Sequence, residues 1–101
     1  MRIRAMHHFT ARLPEVPMEM PANFVGDNTT AALQNGALRG AALEIEGFAR
    51  LFQKKAAPLT IILTGGDAAF FQPHLDLTAV IHEPDLTLLG LQLILNYNLK
   101  L

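Results

Sequence analysis

Apolar and polar positions alternate on different periods along the chain, and each change of period marks an element. From Asn28 to Lys55 no proline intervenes. Leu33, Ala37, Ala41, Phe48, Leu51 and Phe52 recur near the helical spacing, while Gly36, Gly40, Leu43 and Gly47 line an adjacent narrow face. This pattern predicts one long helix covered on two sides. Asn28 or Thr29 can cap it, because either side-chain oxygen can accept the first free N–H groups, and Gln53-Lys54-Lys55 closes it with charge that suits the helix dipole. Leu59 to Leu63 is continuously apolar, as strands covered on both faces are. The run stops at Thr64-Gly65-Gly66-Asp67. Asp67 to Phe71 then reads as a short helix broken by Pro73, and Thr78 to His82 as a second short strand. Pro84 suits the first turn of a last helix, with Glu83 and Asp85 at its positive end. Leucine occupies nearly every side of that helix, which predicts burial.

Upstream, Met1 to Ala11 is helical in character, with Ile3, Met6 and Thr10 on one face, and Pro14 ends it. Pro14, Pro17 and Pro21 punctuate the connector that follows. Its Val16, Met18 and Met20 alternate with acidic residues, so an edge strand and an ordered loop both fit, and the loop is favoured.

Composition sharpens the picture. The chain has 101 residues, enough for one small domain, and small domains leave much of their surface in water. Yet half its residues are hydrophobic, its mean hydropathy is +0.25, and 17% are charged against about 25% in typical soluble domains. That excess predicts a piece of a larger fold or an obligate oligomer. The net charge is −1, and Arg2, Arg4 and Arg12 are offset by Glu15 and Glu19, so no basic stripe supports nucleic-acid binding. The absence of cysteine removes disulfide and thiolate chemistry and is compatible with a cytoplasmic protein. No membrane segment is predicted: the most apolar stretch, Leu86 to Leu95, falls short of the about 20 residues a bilayer needs.

Candidate chemistry lies mainly in backbone and hydroxyl groups. Gly65 and Gly66 lack β-carbons, so a ligand can approach their main chain, and the helix start at Asp67 turns free N–H groups toward that approach. A plain tight turn is the simpler reading of the same residues. Gly36 and Gly40 share a helix face, each costing about 1 kcal/mol of helix propensity, so a close neighbour should compensate. His7, His8, His74 and His82 lack the spacing of a helical metal site, and Glu44 and Glu46 point to different sides, which excludes an acid–base pair.

Several motifs occur in a fixed order: Met6-His7-His8-Phe9-Thr10-Ala11-Arg12-Leu13-Pro14, Gly26-Asp27-Asn28-Thr29, the glycine-punctuated segment ending Glu46-Gly47, Thr64-Gly65-Gly66-Asp67, and Glu83-Pro84-Asp85-Leu86. In that order the chain resembles the C-terminal portion of type III pantothenate kinases, over Met1 to about Asn98. The resemblance implies an α/β fold: part of a ribonuclease H-like, actin-type kinase domain, mainly helices with two or three short strands. Residues 1–101 would be the C-terminal part of the second such domain. The Asp-x-Gly-Asn-Thr, Gly-x-Asp-Arg and Asp-Ala-Gly-Thr segments of the family, the second of which holds the catalytic aspartate, do not occur here. The resemblance therefore implies a missing N-terminal part and a chain inactive alone.

It also implies roles. The parent reaction is ATP-dependent phosphorylation of pantothenate, in the cytoplasm, by a homodimer using Mg²⁺ and a monovalent cation, K⁺ or NH₄⁺. Thr29 would reach across the dimer interface to the pantothenate pocket, its competing role being the helix cap. His7 would lie at the same pocket, a neutral imidazole bonding the substrate's carbonyl or carboxylate, with a surface histidine as the alternative. Gly65, Gly66 and Asp67 would border the adenosine of ATP, Asp67 either accepting a ribose hydroxyl or capping its helix. Gly36 and Gly40 would lie near the nucleotide cleft or pack against another helix. Glu46 would orient a neighbour. A non-catalytic dimerisation or regulatory module derived from the family is the alternative function.

Overall fold

The computed structural model describes residues 1–10 and 12–100. Its order is α1 (Arg2–His8), α2 (Thr29–Gln34), a π-helical turn (Asn35–Arg39), α3 (Gly40–Lys55), β1 (Ile61–Leu63), α4 (Ala68–Phe71), a 3₁₀ turn (Gln72–His74), β2 (Val80–His82) and α5 (Leu86–Leu99). Two compact units divide it, Met1–Phe48 and Ala49–Leu101. The architecture is mainly helical with two short parallel strands, in keeping with part of an α/β domain.

In the first unit, α1 ends at Phe9, whose N–H bonds the Ala5 carbonyl at 2.9 Å, and the Thr10 hydroxyl turns back to the Met6 carbonyl. The predicted end of this helix at Ala11 lies outside the described residues. Residues 12–28 form a connector without strand or helix, as the proline spacing favoured. Val16, Leu33, Ala37, Leu38 and Ala42 make the core. Arg2 Nη2 meets Glu44 Oε2 at 2.9 Å, but both side chains are about half exposed, which leaves this ion pair little weight in stability.

The long predicted helix is present but not uniform. At Asn35–Arg39 it widens into a π turn, with the Gly40 N–H donated to the Asn35 carbonyl five residues back. The extra residue in this turn rotates everything after it, so the buried face passes through Ala42, Glu46 and Ala49 instead of Ala41, Phe48 and Phe52. Phe48, Leu51 and Phe52 are consequently more than half exposed, a correction to the predicted covered stripe. Glu46 is buried and engaged by a partner.

In the second unit β1 and β2 pair in parallel, Ile61 opposite Val80, Ile62 opposite Ile81 and Leu63 opposite His82. Parallel strands need a crossover connection, and residues 64–79, with α4 and the 3₁₀ turn, provide it. The strands are shorter than the apolar runs that predicted them. Neither is covered on both faces: Ile62 and Ile81 share an open face at 52% and 51% exposure. α5 starts at Leu86, so Pro84 precedes the helix rather than entering its first turn, and Glu83 Oε1 accepts the Asp85 N–H at 3.1 Å. The predicted burial of α5 is not met within this chain, where no residue of the helix is buried. Among the described residues no helix is long and apolar enough to cross a membrane.

Candidate functional site

Asn28 settles the capping of α2. Its backbone is extended (φ −150°, ψ 169°) and its Oδ1 accepts the Ala31 N–H at 2.8 Å, the geometry of an N-cap. Its Nδ2 donates to Asp27 Oδ1 at 2.9 Å, which fixes the amide orientation. Thr29 is thereby relieved of the capping role and stands exposed as the first helical residue. The turn is tight because Gly26 lies against the main chain of the same helix: a β-carbon on Gly26 would fall 3.0 Å from the Ala31 carbonyl carbon.

His7 sits in the last turn of α1, with Nδ1 2.8 Å from the Leu13 carbonyl oxygen. A carbonyl only accepts, so Nδ1 carries the proton, and in that tautomer Nε2 offers a lone pair. Such a ring accepts from a hydroxyl or amide N–H. Bonding a carbonyl or carboxylate through Nε2 requires the imidazolium. His7 lines an open concavity of about 380 Å³ with Met1, Arg4, Ala5, His8, Phe9 and Glu15, in which Arg4 Nε stands 3.8 Å from Glu15 Oε1. Thr29 is not among the residues that line it.

The glycine pair on the long helix meets little of this chain. Apart from chain neighbours and the adjacent helix backbone, a β-carbon on Gly36 would meet no atom of the described residues within 4 Å, and one on Gly40 would meet the Asn35 carbonyl oxygen at 3.8 Å. The close helix neighbour that the sequence predicted for this pair is not supplied by the described residues.

In the second unit Gly65 takes a positive φ of 102°, which L side chains rarely adopt. Three N–H groups at the start of α4 are used within the turn. The Ala68 N–H goes to the Gly65 carbonyl at 3.3 Å, and those of Phe70 and Phe71 go to the Asp67 carbonyl at 3.1 and 3.2 Å. The Asp67 side chain makes no capping bond and is exposed, so its carboxylate faces solvent as an acceptor. Apart from its chain neighbours, no atom of the described residues lies within 4 Å of a β-carbon placed on Gly65 or Gly66, which leaves the main chain open to approach.

One arrangement escaped the sequence reading. Gln34, Asn35 and Arg39 reach from the helix to the carbonyls of the connector: Gln34 Nε2 to Pro17 and Asn35 Nδ2 to Asn23, each at 2.9 Å, and Arg39 Nη2 to Pro21. Arg39 Nε also donates to Asn35 Oδ1 at 2.8 Å. The four-residue spacing of Asn35 and Arg39 was the available signal, since it puts the pair on one side of a helix.

Comparison with known proteins gives these motifs their context. The sequence profile of type III pantothenate kinases matches residues 1–51. A type III pantothenate kinase of Cytophaga hutchinsonii is 40% identical over 98 residues, covering 97% of this chain and 41% of that protein. Those of Paracoccus denitrificans and Bacteroides fragilis are each 38% identical over 95% and 97% of this chain, and over 37% and 40% of their own lengths. The chain thus spans about two fifths of the length of these relatives. With Gly26 to Thr29 folded as a capped helix entrance and the shared sequence running nearly from end to end, the chain belongs to the type III pantothenate kinase family, of which it carries the C-terminal part.

Proposed function

We propose that this chain serves as the C-terminal part of an ATP-dependent kinase that converts pantothenate to 4′-phosphopantothenate. It would complete a ribonuclease H-like, actin-type domain whose remainder, with the catalytic aspartate, lies in the N-terminal part. The observation that carries this reading is the cap: Asn28 takes the α2 N–H, which leaves the Thr29 hydroxyl for substrate.

The reaction is in-line phosphoryl transfer, in which positioned donors and metal stabilise the charge that spreads over the phosphoryl oxygens. Within it, Thr29 binds pantothenate in the pocket of a partner subunit of a homodimer. His7 accepts a substrate hydroxyl or amide hydrogen at Nε2, its Nδ1–H held by Leu13. Gly65 and Gly66 give adenosine access to the main chain, and the exposed Asp67 carboxylate accepts a ribose hydroxyl. Among the described residues no three His, Cys, Asp or Glu side chains gather to hold a metal. The ligands of Mg²⁺ and of the monovalent cation would lie in the N-terminal part.

Joining this chain to the N-terminal part of the Cytophaga hutchinsonii relative tests the reading. Pantothenate-dependent release of ADP is expected from the joined protein and not from the 101-residue chain alone. Turnover by the chain alone, or silence of a folded joined protein, overturns it. In the second case, the uncovered faces of α5 and of Ile62 and Ile81 favour the alternative, a non-catalytic association module.

A further inference from the structure

The connector before Thr29 has few means of holding its own shape. Three prolines break it, no strand or helix supports it, and Val16 is its one buried apolar anchor. Phe24 and Val25, next to the Gly26 turn, are 76% and 67% exposed and anchor nothing within this chain. What ties residues 17–23 to the helix is the row of side-chain bonds from Gln34, Asn35 and Arg39.

Arg39 and Asn35 form the centre of that row. The asparagine amide is used at both ends, Nδ2 to the Asn23 carbonyl and Oδ1 from Arg39 Nε. The guanidinium is likewise used in two directions, Nε to Asn35 and Nη2 to the Pro21 carbonyl. A planar fork fixes both directions at once, whereas a lysine ammonium has the donors but not the rigid geometry. The two residues bound the π turn, so the same local widening that rotates the helix also lies under the connector. Asn23 is held three residues before Gly26, where the chain must press against Ala31 and Ala32 for Asn28 to cap.

We propose that Arg39 and Asn35 are a positioning pair, locking the 17–25 connector onto the helix and thereby setting the Gly26–Thr29 turn that presents Thr29. The proposal rests on the reading of Thr29 as a substrate-binding residue.

Hydrogen exchange on Arg39→Met, Arg39→Lys and Asn35→Asp variants of the chain tests the lock without reference to activity. Amides of residues 18–28 are expected to exchange about tenfold faster or more in Arg39→Met, those of residues 44–54 remaining as they were. Asn35→Asp keeps the acceptor for Arg39 but loses the donor to Asn23, so it should loosen the same segment. If Arg39→Met fails to fold, Arg39→Lys and Asn35→Asp decide the matter. Unchanged exchange in the connector overturns the lock.

The joined enzyme tests positioning. In Arg39→Lys the pantothenate KM should rise about tenfold, with kcat and the ATP KM held within about twofold. Equal loss in kcat and both KM values overturns the positioning role, since a merely structural defect acts that way. A joined protein with no pantothenate kinase activity in its unsubstituted form sinks the kinase reading instead and, with it, the role for Thr29, while the exchange result still decides the lock.

Discussion

Gly26 and Ala32 touch through main chain alone: a β-carbon on Gly26 would lie 2.5 Å from the Ala32 amide nitrogen and 2.7 Å from its Cα. Neither atom belongs to a flexible side chain that could turn aside. Gly26→Ala must therefore push the connector off the first turn of α2, with a cost of about 1–3 kcal/mol, the range seen when packed atoms are forced apart. A urea melt of the joined enzyme should show the loss, and pantothenate binding should weaken with it. An unchanged midpoint would mean that the turn is not packed as described.

Asn28 and Thr29 divide two roles between neighbouring side chains, and substitution separates them. Asn28→Ala removes the acceptor for the Ala31 N–H and should cost about 1 kcal/mol of stability, whereas Asn28→Asp keeps the acceptor and most of the stability. Thr29→Val changes no capping bond. It should leave the melt within about 0.5 kcal/mol while raising the pantothenate KM far more than the ATP KM. Equal effects on the two substrates would remove Thr29 from the pantothenate pocket.

His7 makes a prediction that depends on which ring nitrogen is engaged. Asparagine at this position can keep the bond to the Leu13 carbonyl but offers nothing where Nε2 was, while glutamine extends an amide oxygen toward that point. His7→Asn should retain the fold and raise the pantothenate KM, and His7→Gln should recover part of the loss. If both variants bind pantothenate as the histidine does, the imidazole has no substrate role.

The sequence motifs made the order of elements legible, because caps and breakers act locally. Asn28, Pro73 and the charges after Gln53 each mark an end that the structure keeps to within a few residues. Burial was less legible. The helical period through Phe48 and Phe52 assumes an unbroken α-helix, and one extra residue at Asn35–Arg39 rotates that stripe out of the core. A π turn leaves no mark in hydrophobic periodicity before the point where it occurs. The clamp from Arg39 to Pro21 was hidden for another reason: its acceptors are backbone carbonyls, which every sequence has. The open faces of Gly36 and Gly40, and of α5, were legible as apolar or narrow surfaces, but their exposure among the described residues was not.

Gly65 and Gly66 should respond differently to the same substitution. Gly65 has a φ of 102°, so Gly65→Ala forces strain of about 1–3 kcal/mol even though space is free around its β-carbon. Gly66 has free space and no such backbone demand, so Gly66→Ala should leave stability unchanged. If adenosine lies against this main chain, Gly66→Ala raises the ATP KM and leaves the pantothenate KM alone. Unaltered ATP affinity in Gly66→Ala would return the turn to a purely structural role.

α5 carries the last prediction, because its stability and its sequence are at odds. An isolated helix of its length is marginal in water, and most helical stability comes from packing an apolar face. Yet Leu88, Leu91, Leu93, Ile94 and Leu95 are each more than half exposed here, and none of the helix is buried. Such a helix holds together only when something covers it. In the 101-residue chain the amides of Leu88 to Leu95 should exchange nearly as fast as in an unfolded peptide, and the apolar surface should bind a hydrophobic dye. In the joined enzyme the same amides should be protected by about a hundredfold or more, and Leu93→Asp should abolish that gain. Protection already present in the dilute, monomeric chain would show that α5 is stable uncovered, and the case for a covering partner would fail.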